Sequence, residues 1–109
     1  MYEIDPLRTD LAEEFCNNPG GPYSAELTLV VNRLRVMPMA DRHILVCTQR
    51  GRQWMLARMP SKRGTKLELF EDHVFDDYYE GVWEVFKRRW RTVTGTDLSG
   101  LDRRTPGVA

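Results

Sequence analysis

The sequence predicts an α+β domain with two N-terminal helices, a three-stranded antiparallel meander and a long C-terminal amphipathic helix. Three observations predict this class. Apolar residues recur at helical spacing near both ends of the chain, two apolar runs of strand length flank Arg50-Gly51, and prolines and glycines separate the segments. With 109 residues, we expect one domain around one core.

The first helix is predicted over about residues 6–16. Asp5 has the side chain of an N-cap, Pro6 suits the first helical position, and Leu7, Leu11 and Phe15 are spaced four apart. The stretch 17–22, rich in Asn, Pro and Gly, ends this helix. We therefore divide the chain into a helix and linker (1–21), an α+β domain (22–95) and a mobile C-terminal tail (96–109).

The second segment has apolar residues at helical spacing, at Tyr23, Leu27, Val30, Val31 and Leu34. This period favours a helix. The run of residues 28–31 is rich in β-branched side chains and favours a strand over part of the segment, so both interpretations stay open here. Pro38 ends the element in either case.

Residues 43–48 and 53–59 are predicted to form a β-hairpin, because both are apolar and Gly51 can supply the positive φ of its turn. Residues 66–71 alternate between polar and apolar and predict a third, half-exposed strand. Asp76 and Asp77 then open the last helix, which Gly95 ends. Its apolar stripe consists of Tyr79, Val82, Trp83, Phe86, Trp90 and Val93.

The net charge is zero, but it is divided into blocks of −5 (1–28), +8 (29–66), −7 (67–86) and +4 (87–109). The basic stretch 50–66 interleaves arginines with Trp54, as a nucleic-acid surface can. A stand-alone nucleic-acid-binding or regulatory protein is therefore one hypothesis. The neutral total and the acidic block that follows oppose it, so we expect a solvated hairpin whose arginines pair with residues 67–86.

Few side chains suggest catalysis. His73 with Asp72 or Asp76 has the residue types of a metal site, but in a loop before a helix we expect caps and solvated surface. Cys47 is predicted to be a buried apolar residue rather than a nucleophile, and neither Cys16 nor Cys47 belongs to a CxxC pair. The known nucleophile, phosphate-binding and zinc motifs do not occur, so we expect no catalytic, cofactor or metal residue on this chain.

The aromatic side chains predict a partner surface. So small a core has few places to bury three Trp, four Tyr and four Phe, and aromatic residues with arginine are enriched at interfaces. No apolar run approaches the ~20 residues of a membrane span, and the first residues lack signal-peptide features, so we expect a cytoplasmic protein. The candidate interface residues are Trp54, Tyr78, Trp83, Trp90, Arg50 and Arg52.

Over roughly residues 22–90 the chain resembles the small subunit of N,N-dimethylformamidase, a bacterial amidohydrolase with large and small subunits. The similar features are Pro22-Tyr23 opening a helix, the pattern Asn32-x-Leu34-Arg35-x-x-Pro38 and two apolar strands with an arginine-rich connection. After the third strand, the similar features are Phe75 and a following helix that contains Glu80, Val85-Phe86 and Arg88-Arg89.

This resemblance implies an accessory subunit in a hetero-oligomer. In that family the large subunit holds a mononuclear iron through tyrosine and glutamate side chains and hydrolyses the formamide to formate and an amine. No iron ligand or catalytic residue is implied for this chain. The expected function is that of a non-catalytic small subunit of a metal-dependent amidohydrolase for a small amide or formamide.

Overall fold

The computed structural model describes residues 3–36, 42–60 and 64–98. It confirms the predicted α+β class and the order of elements. The elements are α1 (Thr9–Asn17), α2 (Ala25–Arg35), β1 (His43–Gln49), β2 (Gln53–Arg58), β3 (Glu68–Phe75) and α3 (Tyr78–Thr94). The three strands form an antiparallel sheet in the order β1-β2-β3. Pro38 and residues 99–109 of the predicted tail lie outside the described residues.

The first helix begins later than predicted. The side chain of Asp5 accepts a hydrogen bond from the Leu7 N–H at 2.9 Å, and the Arg8 N–H donates to the Asp5 carbonyl at 3.0 Å. These bonds close a turn before the helix, which leaves Leu7 85% exposed. Asp5 therefore stabilises this turn and does not cap a helix that begins at Pro6. A short Asp or Asn side chain can accept hydrogen bonds from nearby N–H groups even where no helix follows.

The second segment is a helix, as its period indicated. The side chain of Ser24 caps α2 by accepting from the Leu27 N–H at 3.2 Å, so Tyr23 lies just before the helix. Leu27, Val30 and Leu34 are buried. The β-branched run is accommodated because tertiary burial of this stripe outweighs the weak strand preference of its members.

The predicted hairpin is confirmed. The Arg52 N–H donates to the Gln49 carbonyl at 2.8 Å across the turn, where Gly51 has a φ of 70°. The register shifts between Cys47 and Gln49, so a β-bulge adjoins the turn.

The third strand is longer than the predicted 66–71. Leu56 pairs with Phe70, whereas its neighbour Met55 pairs with Val74, so three residues of β3 lie between consecutive partners on β2. The insertion consists of residues 71–73. It places His73 inside β3 and not in a loop before the helix, because pairing with β2 resumes beyond the insertion.

The ends of α3 agree with the sequence prediction. The side chain of Asp77 accepts from the Tyr79 N–H at 2.9 Å, and Gly95 ends the helix in the left-handed region with its N–H on the Arg91 carbonyl.

Helix α3 lies between the sheet and the α1–α2 pair. On the sheet side a Cβ at Gly81 would lie 2.8 Å from Cδ1 of Leu45 and 3.3 Å from Phe75, so glycine permits this close approach. On the helical side the rings of Phe15 and Phe86 stack with centroids 4.2 Å apart. One helix therefore joins both halves of the fold.

Both ends of the described chain belong to the same packed body. Ile4 and Leu98 are 8% and 2% exposed and join the core cluster of the three helices. The packed region thus includes Leu98, beyond the predicted domain end at residue 95. Trp83 and Trp90 are also buried in this cluster.

Phe86→Ala should lower the free energy of unfolding by about 3–5 kcal/mol, because it removes the ring that stacks on Phe15, Trp83 and Trp90. Urea denaturation followed by far-UV circular dichroism measures the change. Val85→Ala, on the same helix but outside the buried cluster, is the control and should cost clearly less. Equal losses in the two variants would contradict the packing described here.

Candidate partner interface

One side of α3 remains uncovered between its two packed sides. It presents Tyr78, Val82, Val85 and Arg89, whose spacing places them on one face of the helix. We call these four residues the α3 ridge. Tyr78 is 47% exposed and the other three are half-buried. A cleft lies on each side, and all four ridge residues line both clefts.

The first cleft, of about 420 Å³, lies between α3 and α2. Its floor is apolar and contains Phe15, Leu34 and Phe86 from the core. Tyr23 and Tyr79 lie at its border. The Tyr23 hydroxyl donates to the Pro19 carbonyl at 2.6 Å, which fixes that ring against the loop before α2.

The second cleft, of about 350 Å³, lies between α3 and the β1–β2 hairpin. Trp54 and Tyr78 meet edge to face there, with ring centroids 5.4 Å apart. Ile44 and Leu45 complete its apolar lining with Cys47. Cys47 is exposed, so its predicted burial is wrong; it lies beside the β-bulge and lines this cleft. Cys16 is the buried cysteine.

Arg89 supplies the charge of the ridge. Its Nε and Nη2 atoms donate to the His43 carbonyl at 3.0 and 2.8 Å, which holds the guanidinium in place at the edge of the sheet. Burial lowers the pKa of Arg89, and the positive charges of Arg42 and Arg35 lower it further. Arg35 also lines the first cleft, whose described lining contains no carboxylate. The potential at this end of the cleft is therefore positive.

The six predicted interface residues divide into three groups. Tyr78 and Trp54 lie together beside the ridge. Trp83 and Trp90 lie in the core. Arg50 and Arg52 are exposed at the hairpin turn. At this end of the sheet the hairpin approaches the start of α3, because Gln53 Nε2 and Asp76 Oδ1 are 3.5 Å apart. Val82, Arg89, Tyr79 and Arg35 also line the clefts and were not among the predicted interface residues, although the spacing of 78, 82, 85 and 89 places four residues on one helix face.

The basic hairpin is partly neutralised, as expected. Arg58 pairs with Glu68 across β2 and β3. Within the acidic block, Glu84 pairs with Lys87 and Arg88 on its own helix.

Among the described residues no helix is long and apolar enough to cross a membrane.

A comparison with known protein families covers the described residues. The sequence pattern of the N,N-dimethylformamidase alpha subunit matches residues 3–99 of the chain. The chain belongs to this family. Among curated proteins, none matches the chain. The family match extends beyond the 22–90 resemblance at both ends, in agreement with the burial of Ile4 and Leu98 in the common core.

The histidines of this N,N-dimethylformamidase alpha-subunit chain have cationic neighbours. His73 Nε2 lies 3.2 Å from Arg88 Nη2, and Arg88 also lies over the Phe70 ring. His43 stacks against the same Phe70 ring, with ring centroids 5.8 Å apart. In residues 3–36, 42–60 and 64–98, no three His, Cys, Asp or Glu side chains come together as metal ligands.

His43 should make the protein less stable in mild acid. Burial lowers the pKa of His43 from its ordinary value of 6.5, and the charges of Arg88, Arg58 and Arg89 lower it further, against a smaller opposite effect of Glu68. The Nδ1 atom is buried without a hydrogen-bond partner in the described part of the chain. The unfolded chain therefore takes up a proton at higher pH than the folded one, so this contribution to stability is present above pH 6.5 and is lost as the pH falls.

Urea denaturation between pH 7.5 and 5 tests this expectation. The free energy of unfolding of the wild type should fall more steeply with decreasing pH than that of His43→Gln, which cannot titrate. Parallel pH profiles of the two proteins would contradict it.

Proposed function

We propose that this alpha-subunit-family chain is the non-catalytic small subunit of a hetero-oligomeric, metal-dependent amidohydrolase that acts on a small amide or formamide. The observation that carries the proposal is the family match over residues 3–99. In this proposal the catalytic site and its iron belong to a larger partner chain. The contribution of this chain is to bind and position that partner.

The chemistry of the α3 surface supports this role. The described lining of the first cleft consists of apolar and aromatic side chains with two guanidinium groups, and contains no imidazole, thiol or carboxylate to transfer a proton or attack a carbonyl carbon. Aromatic residues and arginine are the types that are enriched at protein interfaces. The first cleft therefore suits binding better than catalysis.

Both ends of the ridge are anchored to the sheet. The edge-to-face pair of Trp54 and Tyr78 fixes one end, and the double hydrogen bond from Arg89 to the His43 carbonyl fixes the other. A surface whose side chains are already held loses less conformational entropy when a partner binds. We keep Trp54 and Tyr78 as interface residues, with Arg50 and Arg52 at the hairpin end of the same region. Trp83 and Trp90 act through the core that supports the ridge.

Co-expression with the large subunit of an amidohydrolase encoded beside this chain tests the proposal. The two chains should purify as one complex that hydrolyses N,N-dimethylformamide or a related small amide, with formate release as the assay. The large subunit should retain the iron after separation. Iron that remains with this chain, or a large subunit that never associates with it, would overturn the proposal.

Replacing a histidine of this chain should leave catalysis nearly intact. We expect His73→Ala to keep kcat of the assembled enzyme within about tenfold, a change of at most ~1.4 kcal/mol in the barrier. Phe86→Ala is the matched structural variant; it should lower the yield of complex but not the activity per assembled enzyme. A thousandfold loss of kcat in fully assembled, iron-loaded His73→Ala would place this chain in the active site and contradict the proposal.

A further inference from the structure

The first cleft of the α3 ridge combines an apolar floor with two cations. Phe15, Leu34 and Phe86 form the floor, while Arg35 approaches from α2 and Arg89 from α3. Its volume of about 420 Å³ lies in the range of pockets that bind small ligands or side chains, roughly 300–1,000 Å³. Arg35 is exposed, and Arg89 is half-buried.

The hydrogen bonds of Arg89 leave donors for a ligand. A guanidinium has five N–H donors, and those of Nε and Nη2 that bond here share one neutral acceptor, the His43 carbonyl. Among the described residues no carboxylate bonds to Arg89, and Nη1 has no hydrogen-bond partner. Arg89 is a half-buried cation whose neighbours are other cations and a neutral carbonyl. An anion that binds beside it would therefore be strongly stabilised.

Arg35 lies close enough to the border of the cleft to act with Arg89. Its charge opposes the effect of burial on the pKa of Tyr23, a ring that lines the same cleft. The hydroxyl groups of Tyr78 and Tyr79 lie on α3 at the other end of the lining. The cleft thus has an apolar floor, a cationic end and an aromatic end.

We propose that this cleft binds an acidic segment of the large subunit, with an apolar or aromatic side chain on the Phe15–Phe86 floor and an Asp or Glu carboxylate between Arg35 and Arg89. Charge complementarity selects this occupant, because the described lining of the cleft supplies two cations and no anion. An apolar segment without a carboxylate would leave the cations unpaired, and a basic segment would be repelled. The inference rests on the proposed function, since it names the contact by which the two subunits associate.

Charge reversal at Arg35 tests the cationic end without disturbing the bond between Arg89 and His43. Arg35→Glu should raise the Kd for the large subunit by about tenfold or more at low salt, and added salt should reduce the difference from wild type. Arg91→Glu is the matched control: it makes the same charge change at an exposed position of α3 that lines neither cleft. Circular dichroism and urea denaturation verify that both variants are folded.

A photo-crosslinking amino acid in place of Tyr79 identifies the occupant. In the assembled enzyme, mass spectrometry should find crosslinks to one segment of the large subunit that contains Asp or Glu beside a large apolar residue. Changing that acid to Lys should restore binding to Arg35→Glu. Crosslinks to a second copy of this chain, or to a segment without a carboxylate, would overturn the proposal.

The outcomes separate the two proposals. If the wild type binds the large subunit and Arg35→Glu binds as tightly as Arg91→Glu, the cleft proposal is wrong and the accessory-subunit proposal stands. If the wild type does not bind the large subunit, both are wrong. Millimolar or tighter binding of acetate to the isolated chain that Arg35→Glu abolishes, with subunit association unchanged, would make the cleft a small-molecule site and also overturn the inference.

Discussion

The fold depends on α3 being buried on two opposite sides. Phe86 stacks on Phe15 of α1 on one side, and Gly81 lies against Leu45 and Phe75 of the sheet on the other. The sheet and the α1–α2 pair are therefore held to each other largely through this helix. A small domain buries a limited fraction of its surface, so using one helix for both interfaces makes efficient use of few apolar residues.

The candidate interface is a consequence of this arrangement. A helix covered on two opposite sides leaves two narrow stripes, and one of them is the ridge of Tyr78, Val82, Val85 and Arg89. A cleft lies along each flank of the ridge, one between α3 and α2 and the other between α3 and the β1–β2 hairpin. The same packing that stabilises the domain thus exposes an apolar and aromatic surface at a fixed position, as a binding subunit requires.

The charged side chains divide into exposed ion pairs and one cationic cluster at the first cleft. Arg58 of the +8 block pairs with Glu68 of the −7 block, and Arg8 pairs with Asp10 and Glu26 within the −5 block. These pairs are exposed, and each contributes little to stability. Arg35 and Arg89 differ because the fold brings them to one cleft whose described lining contains no acid. The basic character of residues 29–66 is thus less informative about function than the position of two arginines from separate helices.

The sequence by itself determined the class, the order of elements and the local signals at their ends. The cap of Asp77, the stop at Gly95, the turn at Gly51 and the period of α3 act within a few residues, so they can be read directly. The tertiary structure decided what depends on distant partners. Pairing with β2 extended β3 past its insertion, and packing across three helices buried Trp83 and Trp90 while it left Tyr78 exposed. The meeting of Arg35 with Arg89 was likewise invisible, because residues far apart in the chain become neighbours only through the register and packing of the elements between them.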